Sequence, residues 1–234
     1  MAIGLLYLWL ANFPLARGEA WSWWTLLLSG TVGFGSFLSY LGYGYLDTWH
    51  GTGTVALLPL FVFGMYKSRR ILRPAVPLKT ALRNGLQRNW KSISGLGRAL
   101  MLFTALGMIL AGATIMVVGM TTVFVPQDLE YMKVTKEDLH ELNPKLIPLI
   151  AHDRAGFGGG LCSCGFAVLL SVWCARPSRS LWQVLLLAGL SGFGAAIGVH
   201  FAVGYTDFMH LAPAYTGFGI YLFGLCLIRT EVPR

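Results

Sequence analysis

Two short stretches of this chain carry an acid and an imidazole at the same spacing. One is Gly44-Tyr45-Leu46-Asp47-Thr48-Trp49-His50, the other Gly204-Tyr205-Thr206-Asp207-Phe208-Met209-His210. Each closes a long apolar run. An Asp and a His three residues apart share one helix face. There they can bind a small solute, relay a proton or help to hold a metal ion. His152-Asp153-Arg154 opens a glycine-rich apolar run, and His200 precedes Asp207 by seven residues. Seven residues make two helical turns, so His200 is expected on the face of Asp207 and about 10 Å deeper. Its counterpart near the first motif is Tyr40. The candidate ligand or proton site is therefore Asp47, His50, His152, Asp153, Arg154, His200, Asp207 and His210. A metal reading uses Asp47, His50, Asp207 and His210. Ionisable groups are costly in hydrocarbon and face a wet cavity or one another. The bland alternative is that each Asp caps a helix junction and His200 satisfies a nearby carbonyl.

The surroundings of these residues are apolar. The chain has 234 residues, 55% hydrophobic and 12% charged, against roughly 25% charged in soluble domains. Several runs reach or approach the about 20 residues that cross a bilayer. The fold class expected is all-α, a polytopic membrane protein. Seven helices are expected: Ala2–Leu15, Trp21–Tyr45, Thr54–Tyr66, Leu96–Val125, His152–Cys174, Leu181–Tyr205 and Ala212–Ile228. Trp21, Trp23 and Trp24 suit an interfacial belt. Residues 127–151 are polar, with a short helix capped by Thr135 and stopped at Asn143-Pro144. Gly156, Gly158, Gly159 and Gly160 allow close helix approach. They do not make a phosphate cradle, because no strand precedes them and no Gly-Lys-Ser/Thr follows. Cys162, Cys164, Cys174 and Cys226 lie in apolar runs without Cys-x-x-Cys spacing and read as packed thiols. The apolar N-terminus lacks a basic region and reads as a retained helix.

The formal charge of +8 is unevenly placed. With the loops after helices one, three, five and seven on the cytoplasmic side, that side holds 14 of the 18 Lys and Arg: Arg17, nine from Lys67 to Arg98, Arg176, Arg179, Arg229 and Arg234. The positive-inside rule then sets the N-terminus out and the C-terminus in. The cell inner (plasma) membrane is the expected location. Residues 71–96 form a basic loop in which Leu78–Trp90 can lie on the membrane as an amphipathic helix and meet anionic lipid. No basic stripe with interleaved aromatics speaks for nucleic acid.

The two motifs belong to a longer internal match. At an offset of 159, Ala16-Arg17 matches Ala175-Arg176, Trp23 matches Trp182, Leu26-Leu27-Leu28 matches Leu185-Leu186-Leu187, and Gly30-x-x-Gly33-Phe34-Gly35 matches Gly189-x-x-Gly192-Phe193-Gly194. After one inserted residue the motifs themselves align, and Phe63-Gly64 meets Phe223-Gly224. The expected organisation is 1–70 as a first three-helix repeat, 71–96 the basic loop, 97–126 a linker helix, 127–151 an extracytoplasmic loop and 152–234 a second repeat. One linker helix makes the repeats parallel. Both Asp-x-x-His elements and His152-Asp153-Arg154 are then expected at one, extracytoplasmic, level. Asp47 or Asp207 should reach His152, Asp153 or Arg154, with Arg154 the favoured partner because a guanidinium binds a carboxylate through two bonds.

In layout, 3+1+3 with the N-terminus out, the chain resembles the SWEET-type sugar transporters, although their proline-bearing helix motifs do not appear. It shares helix count and orientation with microbial rhodopsins but has no lysine between Ala212 and Ile228 for retinal. Ceramidase-like membrane hydrolases share its ingredients, without a His-x-x-x-His element here. The segments FVPQDLEYM, NPKLIPLIAHDRAGFGGGL and HFAVGYTDFMHLAPAY resemble a family of uncharacterised bacterial multi-pass membrane proteins, a resemblance that implies no activity or cofactor. The leading functional expectation is small-solute or proton handling of a transporter-like kind. A second is a metal-dependent intramembrane hydrolase, built on carboxylate and imidazole pairs with an open metal position. A third is an auxiliary subunit of a larger respiratory or photosynthetic complex, in which His200 or the outer histidines would ligate haem or a pigment and other membrane subunits would be partners.

Overall fold

The computed structural model describes residues 1–42, 48–72 and 77–231. Ten α-helices and no strand occur among them. Helix α1 (Ala2–Leu10) runs on through a π-helical stretch, Ala11–Leu15, that contains Pro14. Next come α2 (Ala20–Gly42), α3 (Thr48–Ser68), α4 (Leu78–Leu86), α5 (Ile93–Met120), α6 (Pro126–Met132), α7 (Lys136–Leu142), α8 (Leu146–Cys174), α9 (Arg179–Val203) and α10 (Phe208–Ile228), which closes in a 3-10 turn at Arg229–Glu231. Helices α5, α8, α9 and α10 with its 3-10 turn are long and apolar enough to cross a membrane, and α1 with its π stretch is a shorter apolar helix.

Several expected ends move, for local reasons. Helix α8 begins at Leu146, not at His152. Pro148 falls in its first turn, where no N–H needs an intrahelical acceptor, so proline is tolerated. His152, Asp153 and Arg154 therefore sit inside α8 rather than opening it. Helix α3 begins at Thr48, so the backbone of His50 lies within it. Helix α5 ends at Met120, and Pro126 starts α6 instead of ending a long helix, since its fixed φ suits a first helical position. The expected cap at Thr135 is present: its hydroxyl accepts the Asp138 N–H at 3.1 Å, and the Asp138 carboxylate accepts the Thr135 N–H at 2.8 Å. The amphipathic basic helix is shorter than expected and docks on α8, where the Trp173 indole donates to Leu82 O at 2.8 Å, leaving Lys79 and Arg83 exposed.

Helix α8 is the hub, buried along most of its length between α5 and α2. Small residues make both seams close. A Cβ on Gly112 would stand 2.6 Å from Gly158 O, and one on Gly158 the same distance from Gly112 O. Towards α2, Ser29 Oγ donates to Ser163 O and Ser163 Oγ to Ser29 O, both at 2.8 Å, while Ser36 fills the space above Gly159. As α2 advances from Gly33 to Ser36 its neighbours on α8 step back from Ser163 to Gly159, so the two are antiparallel. By the same logic α5 is antiparallel to α8 and to α10, and α9 to α10. Helices α2 and α9 thus point the same way.

The α2–α3 and α9–α10 pairs share four contacts at corresponding positions. Trp23 Nε1 donates to Met65 O, and Trp182 Nε1 to Leu225 O, each at 3.0 Å. Gly30 lies under the Phe61 ring, and Gly189 under the Tyr221 ring. Phe34 packs on Phe61 at 5.2 Å, Phe193 on Tyr221 at 5.7 Å. The guanidinium of Arg69 lies 5.9 Å over Trp23, that of Arg229 5.5 Å over Trp182.

A candidate histidine–tyrosine site at the α9–α10 turn

The turn between α9 and α10 is set by Gly204. It takes the left-handed conformation, φ +74°, that ends a helix without a Cβ penalty, and Tyr205 N–H closes onto His200 O at 3.0 Å. Asp207 then caps α10: its carboxylate accepts the His210 N–H at 2.8 Å. Because α9 stops at Val203, His200 and Asp207 do not share a helix face, and the expected depth difference does not arise. Instead the turn folds His210 back onto His200, with the two Nε2 atoms 3.2 Å apart. His200 Nδ1 lies 2.7 Å from Ala196 O, a backbone acceptor, so Nδ1 carries the proton and Nε2 offers a lone pair. The His210 Nε2–H then donates to it.

Aromatic rings extend the pair. His210 faces Tyr205 with centroids 4.5 Å apart, and Tyr205 stacks on Tyr131 of α6 at 4.3 Å. Tyr205 is half-buried, His210 exposed. Burial raises the Tyr205 phenol above its ordinary pKa, the carboxylates of Asp128 and Asp207 add to this, and Arg154 opposes it. Charges from α6, α8 and the α9–α10 turn therefore act on one hydroxyl. Neither Tyr131 nor Tyr205 was among the expected site residues. The tyrosine in the Gly-Tyr-x-Asp repeat of the motif was the signal for Tyr205.

Arg154 does not reach Asp207. Its Nη2 donates to Asp128 Oδ2 at 2.6 Å, and the same carboxylate oxygen accepts the Val125 N–H at 3.2 Å. Asp128, in the first turn of α6, presents its carboxylate to Arg154, whereas Asp207 is turned into its own helix. His152 is buried, and its Nδ1 lies 2.8 Å from Asp153 Oδ1. Asp47 and the side chains of His50 and Tyr40 lie outside the described residues. Among the described residues no group of three or more His, Cys, Asp or Glu is placed to hold a metal; Asp207 in particular is engaged as a cap. No protein-family model, no curated protein and no solved structure matches the chain.

The opposite end of the bundle holds a second polar group that the sequence reading counted only as loop charge. Arg98 is 2% exposed, inside the apolar run of α5. Its Nη1 donates to Val172 O at 3.0 Å and its Nη2 to Glu231 Oε2 at 3.2 Å, while the Ser94 hydroxyl donates to Glu231 as well. Arg88 donates to Cys174 O at 3.1 Å and Ala175 O at 2.6 Å. Two guanidiniums thus serve the last carbonyls of α8, where the helix dipole is negative. A lone arginine amid apolar residues was the available signal.

Proposed function

We propose that this chain is a seven-span protein of the cell inner membrane, built as two parallel three-helix repeats around linker helix α5, and that it handles protons or a small solute at its histidine end. The repeat reading is supported by the four matching contacts of α2–α3 and α9–α10 and by the common direction of α2 and α9. The orientation is supported by charge. Arg69, Arg88, Arg98 and Arg229 gather at the end away from the histidines, as the positive-inside rule requires of a cytoplasmic face. Anionic lipid would meet exposed Lys79 and Arg83 there.

The observation that carries the functional reading is the His200–His210 pair, 3.2 Å apart and continued by Tyr205 and Tyr131. The two imidazoles, each able to donate and to accept, can pass a proton or dress a polar solute, while the stacked Tyr205 and Tyr131 rings wall one side of them. The test is flux in proteoliposomes driven by a pH gradient. Replacing His210 by Ala should lower proton or proton-coupled flux about a hundredfold or more, the lower end of what one positioned proton-transfer group contributes. Asp207→Asn keeps a good helix cap, so it separates the charge of this residue from its structural work. Flux unchanged in both variants would remove the reading.

A further inference from the structure

We infer that His200 and His210 chelate a divalent transition-metal ion of the zinc or copper type. This rests on the reading of the α9–α10 turn as the place where solute is met, and it names the class of solute or ligand. Three features of the pair carry it. The first is spacing. With metal–nitrogen bonds of about 2.0–2.1 Å, two nitrogens 3.2 Å apart subtend an angle of about 100° at a shared ion, close to tetrahedral. The second is aim. Two imidazoles converging on one ion at those bond lengths place their centroids about 5.0 Å apart, whereas rings set nose to nose at this nitrogen spacing lie about 5.5 Å apart. The observed centroid distance is 5.1 Å, with the planes tilted by 49°.

The third feature is the support behind the ligands. Ligating histidines usually hand their second ring N–H to a carbonyl or carboxylate, which fixes tautomer and orientation. His200 Nδ1 does so to Ala196 O at 2.7 Å. His210 is steadied differently, by the face of Tyr205, which is itself backed by Tyr131. To bind the ion His210 carries its proton on Nδ1 instead of Nε2, so that both Nε2 lone pairs face the ion and no net proton is released. No third His, Cys, Asp or Glu among the described residues joins the pair as a ligand, so the other coordination positions fall to water or to the metal's carrier. Imidazole nitrogen selects zinc, copper and nickel over the hard ions magnesium and calcium, which prefer oxygen.

Equilibrium dialysis of the full chain in detergent, against Zn²⁺ in chelator-free buffer with Mg²⁺ as comparison, tests this. The inference expects saturable Zn²⁺ binding and none of Mg²⁺. His200→Ala and His210→Ala should each weaken Zn²⁺ binding at least tenfold, and His140→Ala, on α7, should leave it unchanged. Zinc X-ray absorption of the unaltered protein should show imidazole nitrogen around the ion, a readout that does not depend on any variant folding. Unaltered protein that holds no Zn²⁺, or Zn²⁺ held equally by the His210→Ala protein, overturns the inference. Flux measured in chelator separates this from the functional reading. Flux that needs His210 while no Zn²⁺ binds keeps the function and removes the ion; Zn²⁺ bound by both histidines with flux indifferent to them does the reverse.

Discussion

Helix pairs α2–α3 and α9–α10 are joined alike and covered differently. In each, an indole donates to a carbonyl of the next helix, a glycine admits a ring, and an arginine lies over the indole. Yet α10 packs along α5, and α3 does not. A Cβ on Gly224 would stand 2.8 Å from Gly97 O, while one on Gly64, the matching position of α3, meets nothing within 4 Å. Tyr221 and Ile228 are buried where the matching Phe61 and Ser68 are half-buried, and Leu57, Leu60 and Val62 are exposed where Gly217, Ile220 and Leu222 are half-buried. Local contacts between neighbouring helices follow from the residues of the pair. The third helix that covers one pair and not the other depends on α5, which occurs once.

This contrast can be broken most sharply at the two glycines. Gly224→Val should cost about 1–3 kcal/mol, because its branched side chain must displace backbone of α5. Gly64→Val should stay within about 0.5 kcal/mol, as for an open surface position. Unfolding of the two variants in one detergent measures both; equal costs would mean that α3 is covered as α10 is. Next come the indoles. Trp23→Phe and Trp182→Phe each remove one N–H donated to a carbonyl and should each cost about 1 kcal/mol. A large disparity between them would deny that the two pairs are alike.

A smaller effect sharpens the one chemical difference between the pairs. Tyr221 donates its hydroxyl to Leu185 O at 2.7 Å, and the matching ring in α3 is Phe61. Phe61→Tyr should place a hydroxyl toward the matching carbonyl of Leu26 and change stability by between zero and about 1 kcal/mol in the favourable direction. Destabilisation would show that the Phe61 ring is seated differently. The smallest effect is at Tyr205, followed by absorbance during alkaline titration. Its phenol should lose its proton above the ordinary tyrosine range, and Arg154→Gln, which removes the opposing positive charge, should push it further up. The sign for folding follows: a raised phenol supports the folded state at pH below the unfolded tyrosine value, and that support fades as pH climbs through the folded value.

Much of the frame was legible because it is local. Thr135 before Lys136-Glu137-Asp138 specifies a cap. The site was less so. His200 and Asp207 read as two turns of one helix only if the helix runs through Gly204; the left-handed residue there reverses the chain and gives His200 a different partner, His210. Arg154 chose Asp128 because Pro126 founds a helix where the apolar pattern merely stops, and nothing in the spacing of 26 residues announces that meeting. Arg98 stands seven residues past Lys91 at the start of an apolar run, and counting it with the basic loop before it made one buried arginine look like one more loop charge.

The account turns on whether the two Asp-x-x-His elements share the outer membrane face. Trp49 and Met209 are exposed beside them, 85% and 76% accessible. In a background with Cys162, Cys164, Cys174 and Cys226 replaced, single cysteines at these two positions can be labelled on intact cells with a membrane-impermeant maleimide. Both should react from outside without permeabilisation, and a cysteine at Arg83 should react only after it. Labelling of Trp49→Cys and Met209→Cys from opposite faces would contradict the parallel repeat, and labelling of both only after permeabilisation would reverse the orientation.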